Sequence, residues 1–202
     1  MRCDVEEATT VWLVRHGLPE GVDGRCYGRH DLRLSPEGSI QASGIANRLA
    51  SEPISHIYSS TLRRSVETAQ VIAEPHGLPV QTVDALAEIH FGDLEGLTYE
   101  EIEVRYPDIF RAWMERPTEV TFPNGESFRD MRQRVLDALE SVLAISHSQT
   151  IAIVTHAGVI RLVIAEVLSI PHPHIFRLAQ RHAAVNRLKY FDHGAVVELM
   201  NG

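Results

Sequence analysis

Two apolar runs that each end in a histidine, and strand-like segments alternating with helix-like ones, predict an α/β fold. The sheet is expected to be mainly parallel, with helices on both faces in a three-layer α/β/α arrangement. The chain of 202 residues shows no internal repeat and no linker-like stretch, so residues 1–202 are read as a single domain.

The elements follow in order. Thr10–Val14 is a short β-rich apolar run, read as a buried strand. Gly17–Arg33 is loop-like, with Pro19 and four glycines. Ser35-Pro36-Glu37-Gly38 opens a helix that runs to about Ala50: Ser35 caps it and Pro36 suits its first position. Ile54–Tyr58 is a second strand, and Ser59-Ser60-Thr61 offer N-caps for a helix through about Glu74, stopped near Pro75 and Gly77. Val80–Val83 is a third strand. Glu88–Gly96 is a loop, and Tyr99–Met114 holds one or two short helices broken at Pro107. The turn Pro123-Asn124-Gly125 starts a long helix from Glu126 to about Ser146. Ile151–Val154 is a strand and Val159–Leu168 a helix. Ala184–Phe191 and Ala195–Met200 form a hairpin around Asp192-His193-Gly194.

Composition narrows the function classes. Hydrophobic content is 44% and charged content 23%, which are values of a folded globular chain. No apolar run approaches the roughly 20 residues of a membrane span. Residues 1–10 carry several acids and no apolar core, which predicts no secretory signal. Cys3 and Cys26 are too few for a disulfide framework or a cysteine-rich zinc site, and they fit a reducing cytoplasm. The net charge of −8 disfavours sequence-independent nucleic-acid binding. An anionic substrate would need a local basic pocket. The sequence leaves oligomeric state open, an edge-strand homodimer included. Eleven histidines are the one unusual feature of the composition.

Chemistry concentrates at strand ends. Val11–Val14 runs into Arg15-His16-Gly17, and Ile151–Val154 runs into Thr155-His156-Ala157-Gly158. In open parallel sheets, ligands collect beyond the carboxyl ends of the strands. Both imidazoles therefore stand where a substrate belongs, and they converge if the strands are neighbours. The small residues Gly17 and Ala157 let backbone N–H groups approach a ligand closely. The strand at Ile54–Tyr58 opens a helix that carries Arg63 and Arg64 in its first turn, where N–H groups and the helix dipole favour anions. Arg15, Arg63, His16 and His156 would then form a cationic nest inside an acidic protein. Glu88, beside that nest, is placed to give a proton to a leaving oxygen.

These blocks resemble a known family. Arg15-His16-Gly17, Ser59-Ser60-x-x-Arg63 with Thr68-Ala69, Glu88-x-x-Phe91-Gly92-x-x-Glu95-Gly96, and Thr155-His156-Ala157-Gly158 are similar, in order, to the motifs of the histidine phosphatase superfamily, also called phosphoglycerate-mutase-like. The resemblance implies that fold and a metal-independent, cofactor-free phosphomonoesterase acting through a phosphohistidine. His16 would be the nucleophile. Arg15, Arg63, His156 and the Ala157 and Gly17 backbone would hold the phosphoryl oxygens. Glu88 would protonate the leaving alkoxide and then deprotonate the attacking water.

The loop Gly24-Arg25-Cys26-Tyr27-Gly28-Arg29-His30-Asp31 with Leu34-Ser35, and the run Asn124–Phe128, resemble alpha-ribazole phosphatases of cobalamin biosynthesis. That likeness implies a small-molecule phosphate monoester, with alpha-ribazole 5′-phosphate as one candidate, and makes Arg25 and Tyr27 substrate contacts. Arg33 stands where that group usually has proline. A cofactor-dependent phosphoglycerate mutase is the second reading, but Leu18–Asp23 lacks the asparagine usual there. A non-catalytic phospho-ligand binder is the third, and the presence of both His16 and Glu88 speaks against it.

The remaining candidates have structural readings. Glu95 is read as orienting its loop, and Arg64 as a surface or helix-packing residue. His172 and His174 are read as loop residues. His30, His90 and His182 are possible pocket linings, with His90 the foremost. Trp12 is a core residue, while Trp113 and Cys26 are either pocket or filler.

Overall fold

The computed structural model describes residues 7–22 and 24–202. Cys3, most of the charged N-terminal stretch and Asp23 lie outside the described residues. Six strands form one mixed sheet: β1 (Thr9–Arg15), β2 (Ile54–Ser59), β3 (Val80–Thr82), β4 (Thr150–Thr155), β5 (Val185–Phe191) and β6 (Gly194–Leu199). Their order is β3-β2-β4-β1-β5-β6. The first four run parallel, and the terminal hairpin adds β5 antiparallel to β1.

Side-chain alternation along the central strands decides the layers. Val11 and Leu13 of β1, with Ile151 and Ile153 of β4, point to one face. There they pack on α5 (Phe128–Ile145) and α6 (Ala157–Val167). Trp12 and Val14, with Ala152 and Val154, face α1 (Pro36–Leu49) and α2 (Arg63–Ala73). These strand residues are at most 5% exposed, so the expected core Trp12 sits inside it. Truncating one of the aliphatic ones to alanine costs about 2–5 kcal/mol. The chain leaves β1 towards α1 on one face and leaves β4 towards α6 on the other. Neighbouring strands whose exits diverge open a crevice at their carboxyl ends, and that crevice is where ligands bind in such sheets.

Helix starts follow from local chemistry with one exception. Ser35 accepts from the Gly38 amide at 3.0 Å, with Pro36 in the first turn. Ser127 and Asp130 form a capping box, so α5 begins just after Ser127 rather than at Glu126. Helix α2 departs from expectation: its N-cap is Leu62, with no side-chain cap of its own. Its first amides are met from another loop. Arg63 donates to Asp31 Oδ1 at 2.6 Å and Arg64 to the Leu32 carbonyl at 3.0 Å. The hydroxyl of Ser60, which accepts only weakly from the Leu62 amide at 3.4 Å, is thereby turned to the site.

A smaller unit packs against the loop that follows Glu88. It comprises α3 (Tyr99–Arg105) and α4 (Pro107–Glu115), which divide at Pro107 as expected. Trp113, Phe122, Leu94, Ile102 and Cys26 make its separate apolar cluster, so Cys26 is a buried filler with a free thiol. Among the described residues, no helix is long and apolar enough to cross a membrane.

Candidate active site

His16 follows β1 directly and is 2% exposed. Its Nδ1 lies 2.7 Å from the Gly17 carbonyl. A carbonyl only accepts, so Nδ1 carries the proton and Nε2 keeps its lone pair. The Arg64 Nε–H donates to that Nε2 at 3.2 Å, in agreement. Burial, then Arg64 and Arg15, hold the imidazole pKa well below its ordinary value, so the ring is neutral near pH 7.

His156 ends β4 and caps α6, and its ring centroid lies 5.0 Å from that of His16. The Ser60 hydroxyl meets its Nε2 at 2.7 Å. Burial, then Arg64, keep it neutral as well. Among the described residues its buried Nδ1 has no partner, nor has the buried Nε of Arg15. Buried polar atoms are rarely left so, and here both belong to groups around His16.

Arg15 is fixed by its other nitrogens. It donates to the Gln180 carbonyl at 2.6 Å and to His182 Nε2 at 2.8 Å. The His182 ring stands 5.6 Å from that of His16 and also meets the Tyr27 hydroxyl at 3.3 Å. Burial, then the two arginines, push the pKa of His182 down to about 4. The next residue, Ala183, has φ of 60°, an uncommon conformation for alanine, and its amide donates to the His16 carbonyl at 3.1 Å. That turn presses His182 into the site.

The second arginine of the nest is Arg64, and this corrects the expectation for Arg63. Arg63 is exposed and pairs with Glu67 one turn on at 2.7 Å. Arg64 is fully buried. Besides Nε on His16, it donates to the carbonyls of His30 and Gly28, each at 2.7 Å, and its guanidinium lies 5.3 Å from the Tyr27 ring centroid. The two residues are adjacent, but a helix turns about 100° per residue, so one faces in and the other out. The loop that receives Arg64 is itself held by Glu95. That carboxylate accepts from the amides of Gly28, Arg29, His30 and Phe91 at 2.8–3.1 Å.

Glu88 sits at the N-terminus of α6. Its carboxylate accepts from the Gly158 amide at 3.0 Å and from its own neighbour Ile89 at 2.9 Å. A Cβ on Gly158 would overlap Glu88 Oε1, so glycine is required for this approach. Arg134 of α5 fixes the short 3-10 turn that leads to Glu88 by donating to the carbonyls of Ala85 and Ala87 at 2.7 Å.

Other expected residues fall in or out of the site. Ala157 is buried as the first residue of α6, and Tyr27 is in the cluster. Gly17 lies next to His16 but is not available to a ligand: its amide donates to Thr68 Oγ1 at 3.1 Å and its carbonyl serves His16. A Cβ there would overlap the Gly38 carbonyl, so its smallness serves packing of the loop on α1. Arg25 points away. It donates to the Gly96 carbonyl at 2.7 Å and approaches Glu101, half-exposed, because residues 25 and 98 form a bridge that carries it towards α3. His90 engages Glu126 through its backbone. His172 pairs with Glu166 at 2.8 Å, within a cluster that includes Arg132. Among the described residues, no group of three or more His, Cys, Asp or Glu is placed to hold a metal ion.

Next to Glu88 a narrow cavity opens, walled by Ile89, Phe91, Trp113, Phe122, Phe128 and Phe176 among others, with Arg161 on its side. Two imidazoles, the buried Arg64, the half-buried Arg15 and a carboxylate around one neutral histidine, at the crevice of a parallel sheet, define a site for an anionic group that undergoes acid–base chemistry. The model of the histidine phosphatase superfamily (branch 1) matches residues 11–202. The chain belongs to that superfamily and is an enzyme of its phosphatase kind. It is 40% identical to phosphoglycerate mutase-like protein 4 of Arabidopsis thaliana over 162 residues, covering 78% of this chain and 70% of that protein. It is 38% identical to phosphoserine phosphatase 1 of Hydrogenobacter thermophilus over 159 residues, 78% of this chain and 75% of that one. The crystal structure of the alpha-ribazole phosphatase from Shigella flexneri superposes with a TM-score of 0.87, at 26% identity and 96% coverage of both chains.

Proposed function

We propose that the chain hydrolyses small-molecule phosphate monoesters through a phosphohistidine on Nε2 of His16. The observation that carries this reading is the His16 tautomer: a buried neutral imidazole with Nε2 unprotonated, and two arginines beside it. In the first step Nε2 attacks phosphorus in line with the ester oxygen. The N–P bond forms, the P–O bond breaks, and protonated Glu88 gives its proton to the departing oxygen. In the second step water attacks phosphorus, ionised Glu88 takes the water's proton, and the N–P bond breaks to release phosphate. Arg15, Arg64, His156 and the amide of Ala157 meet the non-bridging oxygens throughout. The unpartnered Arg15 Nε and His156 Nδ1 find acceptors in that group.

The leaving alcohol then occupies the cavity beside Glu88. Alpha-ribazole 5′-phosphate is one candidate: the aromatic walls suit a flat base, and a structural relative is named for that substrate. Arg25, turned towards α3, gives it no support. Mutase activity is the second reading, favoured by the names of two relatives and by no feature of the site. The test compares wild type with His16→Ala on phenyl phosphate, then screens phosphate release from alpha-ribazole 5′-phosphate, sugar phosphates, nucleotides and phosphoamino acids. Loss of release in the variant is expected; equal rates would end the proposal.

A further inference from the structure

The cavity beside Glu88 is apolar except for two charged side chains, Glu88 and Arg161. Arg161 projects from α6, the helix whose N-terminus holds Glu88. Its Nε donates to the Leu178 carbonyl at 2.8 Å, and its guanidinium lies 5.6 Å from the Phe176 ring centroid. Those two contacts fix the plane of the fork. They leave both terminal nitrogens without an acceptor among the described residues. Arg132, Arg134, Arg187 and Arg63 each pair with a glutamate, whereas Arg161 has no carboxylate within ion-pair distance among the described residues.

Burial lowers the pKa of three arginines among the described residues: Arg15, Arg64 and Arg161. The first two face the proposed phosphoryl site. The third faces the space proposed for the alcohol. Glu88, the other charge in the cavity, attracts Arg161 only from beyond ion-pair distance, so a ligand carboxylate that reaches the fork would be its first direct counter-charge and would offset its desolvation. Aromatic walls strengthen a charge pair formed there by excluding water. The planar fork matches the two oxygens of a carboxylate.

Resting on the phosphatase reading above, we infer that Arg161 is the specificity residue of the leaving-group pocket, and that it selects monoesters whose alcohol carries a carboxylate. Glu88 and Arg161 thus divide the work on one alcohol: the first handles its ester oxygen, the second its anionic end.

Matched substrate pairs test this. O-phosphoserine and O-phosphoethanolamine differ by one carboxylate, and 3-phosphoglycerate and glycerol 3-phosphate differ by carboxylate against hydroxymethyl. The wild type is expected to favour the carboxylated member of each pair by about 10- to 100-fold in kcat/KM, the range of a charge-assisted hydrogen bond. Arg161→Met should bring both ratios close to one. Arg161→Lys, which keeps the charge and loses the fork, should retain part of each preference. The ratio within a pair cancels any general loss of activity or folded fraction. Ratios near one in the wild type, or unchanged in Arg161→Met, would overturn the inference. If phenyl phosphate is still hydrolysed in that case, the phosphatase reading survives; if no ester is hydrolysed, both fall.

Discussion

Replacing Arg64 by alanine tests the corrected site most sharply, because its neighbour Arg63 serves as an internal control. Arg64→Ala removes the donor to His16 Nε2 and a buried positive charge beside the phosphoryl site. Loss of one such preorganised donor lowers kcat by about 10²- to 10³-fold, or about 2.7–4 kcal/mol. Stability also falls. The buried carbonyl of Gly28 loses its partner, at about 1–3 kcal/mol, while the half-exposed His30 carbonyl can turn to water. Arg63→Ala loses only an exposed pair with Glu67, about 0.3–0.5 kcal/mol, so kcat/KM should change less than about twofold. The assay is phenyl phosphate hydrolysis with thermal unfolding on the same samples. Equal losses in the two variants, or a larger loss in Arg63→Ala, would refute the assignment.

Three further outcomes follow from the geometry. Gly158→Ala forces Glu88 off the α6 amide, so kcat should fall by about 10²-fold or more for alkyl phosphates, whose leaving group needs the proton, and less for aryl phosphates; equal losses for both would count against Glu88 as the acid. Glu95→Gln turns an amide NH₂ towards backbone donors now held by a carboxylate; the melting temperature should drop and KM rise as the Arg64 acceptors shift, and an unchanged KM would separate the loop from the site. The buried neutral histidines set a pH dependence. His182 titrates near 4 in the folded chain but near 6.5 when unfolded, so between these values the unfolded state binds the extra proton and stability falls as pH drops. Melting temperatures from pH 8 to 4 should show that decline, shallower in His182→Gln. A rise on acidification would contradict it.

The sequence makes the parallel core legible because β1 and β4 are unbroken apolar runs ending in histidines, and that signal is local. Helix starts at Ser35 and Ser127 are local too. What it cannot convey is how side chains are shared between distant segments. Ser60 reads as a helix cap, yet Asp31 and the Leu32 carbonyl, some thirty residues earlier, meet that helix end and leave Ser60 for His156. Arg63 and Arg64 are indistinguishable by motif spacing when the helix start is uncertain by a residue; the cap at Leu62 decides which one turns inward. His182 carries no neighbouring motif, and only the return of β5 beside β1 brings it to Arg15. Arg25 fails as a substrate contact because a bridge to Thr98 redirects its strand-like segment. Glu95 was readable as a loop organiser, though its link to Arg64 needs the three-dimensional path.

The central claim is that Nε2 of His16 receives the phosphoryl group. Rapid acid-free quenching during turnover of a fast aryl phosphate, followed by peptide mapping and ³¹P NMR of the denatured protein, addresses it directly. The account predicts a transient phosphohistidine at His16, bonded through Nε2, with Nδ1 unmodified because it donates to the Gly17 carbonyl. Turnover with no phosphoenzyme, or with phosphate on Nδ1, on His156 or on another residue, would contradict it.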